Sequence, residues 1–286
     1  MRYEAPHNLD QAVALLSAES GLARVLAGGT DLLVQLRSER IEPDLIVDIK
    51  RIDGMRSITA ERGGFRIGAA VAGAELGEHE ELVALWPGVV EAANLIGSTQ
   101  IQGRATMAGN LCNASPAADA VPALIAAGAT AAIVGPNGRR EVPVEAVSTG
   151  PGKTVLEKGE LVESLYLPAR PARSGDCYLR FIPRTEMDIA VVGAAVALTL
   201  DEAGRISDAR VGLGAVAPRP LLVEAAAEAI IGTTLDEAAL EALAAACSAA
   251  CNPIDDKRGT IEYRTSVAGV LGKRAAVIAC ERAKGN

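Results

Sequence analysis

At 286 residues the chain has room for two domains, and a balance of 49% hydrophobic to 22% charged residues suits a globular protein with a substantial core. Aromatic side chains supply only 2% and the formal net charge is −8, which disfavours nucleic-acid partners, since these draw on stacked rings and basic surfaces. No apolar run reaches membrane-spanning length, and no signal core follows Met1-Arg2-Tyr3-Glu4-Ala5-Pro6, so a cytoplasmic protein is expected. The cysteines, Cys112, Cys177, Cys247, Cys251 and Cys280, are odd in number and scattered, and give no disulfide framework. Cys247 and Cys251 stand one helical turn apart. That spacing can hold a metal or can simply pack small side chains; with no second pair nearby, packing is expected and a cluster on this chain is not.

In chain order, Asp10 to Ser17 has helical spacing, Arg24 to Ala27 reads as a short strand, and Gly28-Gly29 turns the chain. Asp31 to Arg37 reads as a helix that Thr30 or Asp31 can cap, and Leu45 to Ile49 as the next strand, a small βαβ unit ending at Asp53-Gly54. Strands follow at Phe65 to Ile67, Ala129 to Val134 and Leu161 to Leu167. Between them come a helix near Glu80 to Asn94, a long loop, and a helix near Ala120 to Ala127. Pro168 to Gly175 reads as a linker. Beyond it, strand-like runs at Cys177–Ile182, Ile189–Leu200 and Arg205–Val216 precede helical segments near 222–231, 235–247 and 263–283. The mixed order predicts an α+β fold.

Two segments carry the chemical signal. Val25-Leu26-Ala27-Gly28-Gly29-Thr30-Asp31 puts glycines at a strand-to-helix turn, where bare backbone can approach a phosphate. Alone, such a pair is more often just a tight turn than a ligand site. A P-loop is excluded by the missing Gly-Lys-Ser/Thr ending, and a Rossmann fingerprint by the missing G-x-G-x-x-G. Gly97 to Asp119 is a long polar stretch rich in Gly, Asn, Ser and Thr with interleaved apolar residues, the composition of a loop wrapped around a polar ligand. Residue chemistry leads this far: a nucleotide-like ligand held between two loops.

Three strings in order, Ala27-Gly28-Gly29-Thr30-Asp31-Leu32, Thr106-Met107-Ala108-Gly109-Asn110 with Ala114-Ser115-Pro116-Ala117-Ala118-Asp119, and Arg184-Thr185-Glu186-Met187-Asp188-Ile189-Ala190, resemble the FAD-binding medium subunit of the molybdenum hydroxylases (the xanthine dehydrogenase and carbon monoxide dehydrogenase family). The likeness runs over nearly the whole chain. It implies a two-part FAD-binding domain of the vanillyl-alcohol-oxidase-like, PCMH type over residues 1–170, with parts near 1–56 and 57–170. A smaller α+β C-terminal domain of about three strands and three helices would follow over 175–286.

By the same resemblance, Leu26, Ala27, Gly28, Gly29, Thr30, Asp31 and Leu32 surround the FAD pyrophosphate. Thr106, Ala108, Gly109, Asn110 and Cys112 line the second phosphate and the ribityl chain, and Asp119 accepts from sugar hydroxyls. Leu161 and Arg180 fall near the isoalloxazine ring, although Arg180 reads equally as a surface strand residue. Asp31, acidic beside a diphosphate, is expected to cap its helix rather than touch phosphate. Where the family usually reads Thr-Ile-Gly-Gly-Asn, this chain has Met107-Ala108, and an alanine fits there only if its φ is negative or the position has some slack. His7 and His79 lie outside the motifs and are expected at the surface.

The activity implied is an FAD-carrying electron-transfer subunit with no catalytic or metal-ligating residue of its own. A large molybdopterin-binding subunit and a small [2Fe-2S] subunit would complete a dimer of heterotrimers that delivers electrons to an external acceptor. Two other classes stay open: a self-sufficient flavin oxidoreductase, for which Cys112 is the one candidate side chain in the loops, and a non-catalytic nucleotide-binding module.

Overall fold

A computed structural model describes residues 1–184 and 186–285; Thr185, within the third string, lies outside the described residues. Strand β1 (Arg2–Glu4), helix α1 (Leu9–Ala18), β2 (Ala23–Leu26), α2 (Leu32–Arg37) and β3 (Leu45–Asp48) form the first unit, a parallel 3-stranded sheet in the order β1-β3-β2. Asn8 caps α1 by accepting from the Gln11 N–H, and α1 buries Ala12, Val13 and Leu16. The central strand β3 is buried along its whole length, as its unbroken Leu-Ile-Val run requires of an inner parallel strand. At the carboxyl end of β2 the chain meets Gly28, the position where open parallel sheets receive ligands.

A 5-stranded antiparallel sheet follows, in the order Ile58–Glu61, Gly64–Gly68, Leu161–Leu167, Thr130–Gly135 and Gly138–Pro143. Its early part comprises β4 (Ile58–Glu61), β5 (Gly64–Gly68), α3 (Gly73–Gly77), α4 (Glu80–Leu85) and α5 (Pro87–Ala93). Then come α6 (Thr99–Gln102), α7 (Met107–Cys112), α8 (Ala120–Ala126), β6 (Thr130–Gly135) and β7 (Gly138–Pro143). The short elements α9 (Val144–Val147), β8 (Ser148–Gly150) and β9 (Lys153–Thr154) lead into β10 (Leu161–Leu167).

Two expectations are corrected here. The single helix near Glu80 to Asn94 is broken at Trp86, whose φ of −131° and ψ of 61° are those of a residue driven out of the helix by Pro87. The long loop is not structureless, because it holds α6 and α7.

The third sheet is 4-stranded and antiparallel, built in sequence order from β11 (Ser174–Phe181), β12 (Val192–Leu200), β13 (Ile206–Gly214) and the short β14 (Leu221–Leu222). Helices α10 (Glu224–Glu228) and α12 (Ile261–Gly285) pack on it, and α11 (Glu237–Ala249) packs against those two helices. The strands-then-helices order expected of this half holds, with β14 added. Its close packing depends on small residues: an added Cβ at Gly175 of β11 would come within 2.6 Å of the Ala283 nitrogen in α12.

Pro168 to Gly175 is no loose linker. The Arg170 guanidinium lies 4.8 Å from the Trp86 ring centre and pairs with Asp176 at 3.0 Å, with both side chains only 5% exposed. The indole Nε1 of Trp86 in turn donates to the Pro168 carbonyl at 3.1 Å. The segment that reads as a linker is therefore held against Trp86 and the start of β11. None of the helices among the described residues is long and apolar enough to cross a membrane.

Candidate functional site

A cavity of about 620 Å³ opens between the turn after β2 and the first turn of α7, with residues 156–162 along another wall. The two glycines serve it differently. Gly28 lies flat against the backbone of residues 104 and 105: an added Cβ would overlap the Arg104 carbonyl oxygen and come within 2.7 Å of its carbon. Gly29 has φ +78°, the left-handed conformation that costs other residues. Among the described residues, none of the backbone N–H groups from Gly28 to Leu32 donates to a protein acceptor. All of these residues line the cavity. Consecutive unpaired amides on a concave wall form a site for an anion.

Across the cavity, Thr106 caps α7 by accepting the Gly109 N–H on its Oγ1 at 2.9 Å. The N–H groups of Met107 and Ala108, in the first turn, have no helical acceptor. Ala108 sits inside α7 and is absent from the residues with positive φ, so its methyl is accommodated where the sequence departs from the family. Gly109 is needed where it stands, because an added Cβ would come within 2.8 Å of the Thr106 hydroxyl. Thr106→Ala is expected to cost about 1 kcal/mol of stability and to weaken binding in the cavity severalfold. Thermal melting and ligand titration check both, and unchanged values would remove the cap from the site.

Asp31 occupies the N-cap position of α2, but its side chain makes no capping bond, which corrects the expected capping role. Its Oδ1 instead accepts from Asn113 Nδ2 at 3.2 Å, and Asn113 Oδ1 accepts from Gln35 Nε2 at 3.3 Å. Burial pushes the Asp31 carboxyl up from its ordinary range. This bridge between the two loops was missed in the sequence, as was the Arg104 contact to Gly28. Asn110 turns its Oδ1 to the Ala120 N–H at 3.0 Å and so holds the start of α8.

Of the residues singled out in the sequence, Ala27, Gly28, Gly29, Thr30, Asp31, Leu32, Thr106, Ala108, Gly109, Asn110, Cys112 and Leu161 all line this one cavity. Leu26, Asp119 and Arg180 are placed behind it. Leu26 is buried beneath Gly29. Asp119 accepts from Arg180 at 3.0 Å and from the Tyr178 hydroxyl at 3.3 Å, and Arg180 also donates to the Leu95 carbonyl at 2.6 Å. The Arg180 side chain is only 4% exposed, so the surface reading of this residue falls. Burial raises the Asp119 carboxyl to about 6, although Arg180 pulls it down.

Cys112 is the only cysteine on the cavity wall, and burial pushes its thiol up to about 12. It is therefore a neutral thiol at physiological pH and a poor nucleophile. His79 is half-buried and caps α4 by accepting the Leu82 N–H, and His7 is exposed. Cys247 is buried on α11, and the Cys251 thiol donates to the Cys247 carbonyl at 3.2 Å. In the third string, Asp188 accepts from Arg258 at 2.9 Å, from its neighbour Ile189 N–H at 2.8 Å and from Arg184 at 3.2 Å. Those bonds, Arg258 first, hold its carboxyl down at about 2. No described residue of that string lines the cavity; it ties its own loop to the start of α12 through Arg258 and Arg264, which share Asp256.

The donors suit a ligand that carries a diphosphate: residues with unpaired amides from two segments line one cavity, together with apolar side chains such as Leu16, Ile49, Ile96 and Leu161. Comparison with known proteins points the same way. Residues 1–170 match the family of the FAD binding domain in molybdopterin dehydrogenase, and residues 178–278 match the CO dehydrogenase flavoprotein C-terminal domain. The carbon monoxide dehydrogenase medium chain of Afipia carboxidovorans is 36% identical over 283 residues, covering 99% of this chain and 97% of that one. The putative xanthine dehydrogenase FAD-binding subunit of Escherichia coli is 32% identical over 274 residues, covering 95% and 93%. A solved carbon monoxide dehydrogenase of Hydrogenophaga pseudoflava contains a chain that superimposes with a TM-score of 0.94 at 35% identity, over 99% of this chain and 98% of that one.

Proposed function

The chain belongs to the FAD-binding family of the molybdopterin dehydrogenases, and from that premise we propose that it is the FAD-carrying electron-transfer subunit of a molybdenum hydroxylase. It would take electrons from [2Fe-2S] clusters of a small subunit and pass them to an external acceptor. A large molybdopterin-binding subunit would oxidise the substrate, the assembly being a dimer of heterotrimers in the cytoplasm. The observation that carries the reading is the run of unpaired amides from Gly28 to Leu32 facing Ala108 and Gly109 across a single cavity.

In this reading residues 1–170 hold the cofactor, in parts of about 1–56 and 57–170, and 175–286 form the C-terminal domain. The Gly28–Leu32 amides receive the diphosphate, with Leu26 and Ala27 as the strand that presents them. Thr106 fixes the first turn of α7, so that Ala108 and Gly109 approach from the other side. Asn110, Cys112 and Leu161 shape the walls, while Asp119 and Arg180 fix the backbone behind them. When bound, FAD stores two electrons that can enter one at a time. The chain's own part is to hold it, orient it and keep water from it. In this reading no side chain of the wall serves as an acid, base or nucleophile; the half-buried Cys112, whose thiol burial holds in the neutral form, only shapes the wall.

Purified alone, the chain is expected to bind one FAD and to oxidise no small substrate until the molybdenum and iron–sulfur subunits are added. Refusal of FAD would sink the proposal. Substrate oxidation by the flavin-loaded chain unaided would replace it with a self-sufficient oxidoreductase, and retention of a different nucleotide would replace it with a binding module.

A further inference from the structure

The amides of the Gly28–Gly29 turn need something to hold them outward, since a glycine pair is the most mobile backbone a chain offers. The structure supplies a hold for each peptide in turn. The Ala27 carbonyl accepts from Lys50 Nζ at 3.0 Å, the Gly28 carbonyl from Arg104 Nε at 3.2 Å, and the Gly29 carbonyl from the Leu33 N–H at 2.9 Å. In a trans peptide the carbonyl and the following N–H point in opposite directions, and every described peptide is trans. Fixing the carbonyls of residues 27, 28 and 29 therefore fixes the N–H groups of 28, 29 and 30. Neither Lys50 nor Arg104 belongs to the cavity wall, so both draw the carbonyls away from the cavity and leave the amide edges facing it.

Lys50 is itself anchored. Its Nζ donates to Asp48 Oδ1 at 2.7 Å, and its backbone N–H donates to the same oxygen at 3.0 Å. The Tyr3 hydroxyl donates to Asp48 Oδ2 at 2.6 Å. A chain of contacts thus runs from β1 through the end of β3 to the turn after β2, across the three strands of the parallel sheet. Because Asp48 balances its charge, Lys50 acts through the direction it imposes on a peptide more than through long-range attraction for phosphate.

We infer that Lys50 and Arg104 are positioning residues of the diphosphate subsite, two cations that pin successive carbonyls so that the Gly28 and Gly29 amides are preset for a diphosphate before it arrives. The inference rests on the FAD reading above. It assigns the turn's shape to side chains that do not touch the ligand, and it makes preorganisation the source of affinity.

The test titrates the full-length apoprotein with FAD and, separately, with ADP, which carries the diphosphate without the flavin, and records the melting temperature of each apo variant. Lys50→Met keeps the length of the side chain and leaves Asp48 its bonds from Tyr3 and the backbone. It is expected to raise the dissociation constants for FAD and ADP by the same factor, about tenfold. Lys50→Arg, which keeps a donor, should return both to within about threefold of the parent. A Lys50→Met variant that binds FAD as the parent does, or that loses FAD but keeps ADP, would overturn the inference.

If Lys50→Met does not fold, Arg104→Met at an exposed position reads the neighbouring peptide, and unchanged affinity there overturns the inference too. When both fold, the double variant should lose less than the product of the single losses, because the two carbonyls preset one nest; full multiplicativity would count against it. Should the parent refuse FAD yet bind ADP, the FAD reading fails, and the ADP series still decides the roles of Lys50 and Arg104.

Discussion

Gly28→Ala is expected to yield a chain that retains no FAD through gel filtration, with a stability loss of about 2–3 kcal/mol. The added methyl carbon would overlap the Arg104 carbonyl oxygen and come within 3.2 Å of the Ala105 Cα. Both are backbone atoms, so no rotamer change can give way. The turn after β2 and the segment before α7 must move apart, and these are the two lips of the cavity. Affinity should therefore fall more steeply than stability, by about a hundredfold or more, since near contact of both lips with one ligand is what the site provides.

Gly29→Ala offers the contrast. Its Cβ would meet a flexible end, the Leu26 Cδ1 at 2.9 Å, and the main penalty is the φ of +78°, worth about 1–2 kcal/mol. FAD affinity there should fall about tenfold. Equal affinity of Gly28→Ala and the parent would show that the lips do not need their present spacing, and the two-loop reading of the site would go with it.

These glycines also mark how far the sequence could be read. The apolar run of β3, the strand at Leu161 and the strands-then-helices order of the C-terminal half were legible, because burial imposes a pattern on neighbouring residues. Strand β7 was not. Its Gly-Arg-Arg-Glu-Val-Pro run is an exposed edge, where charges and a terminal proline protect the sheet and erase the alternation. The break at Trp86–Pro87 could have been read from proline alone. Helix α7 was hidden by its glycine and asparagine content, although Thr106 stands three residues before the Gly109 amide it caps.

The partners of the site were harder still. Lys50, Arg104 and Asn113 act through contacts to a backbone or side chain far along the chain, and a single lysine, arginine or asparagine among many carries no periodicity to betray it. Leu26, Asp119 and Arg180 were found by likeness, yet the structure places them behind the cavity rather than on its wall. A motif marks a neighbourhood; which of its members face the ligand is settled by packing.

Arg180→Met should be the costliest single change behind the site, and its cost should depend on pH. The Asp119 and Arg180 side chains are 11% and 4% exposed, and among the described residues Asp119 has Arg180 and the Tyr178 hydroxyl as its side-chain partners. Burial raises this carboxyl to about 6 in the fold, against about 3.9 for an unfolded aspartate. Between those values the folded chain binds more protons than the unfolded one, so this group makes stability fall as pH rises through that window and level off above it. Arg180 limits the fall by pulling the value down.

Without Arg180, the carboxylate above the window would be a buried charge facing only a hydroxyl, and the upper end of the window would move to higher pH. At pH 8 the variant is expected to lose about 3–5 kcal/mol relative to the parent. At pH 5, where Asp119 already holds its proton, the loss should be clearly smaller. Urea unfolding at the two pH values measures both, and an identical loss would mean that packing, not the ion pair, sets the cost. Asp119→Asn in the same chain removes the stranded charge and should recover most of the deficit at pH 8. The lost bond from Arg180 to the Leu95 carbonyl would remain in both variants. Because Ile96 beside it lines the cavity, FAD affinity should stay low even where stability returns, which separates the pair's role in holding the fold from its role in shaping the cavity.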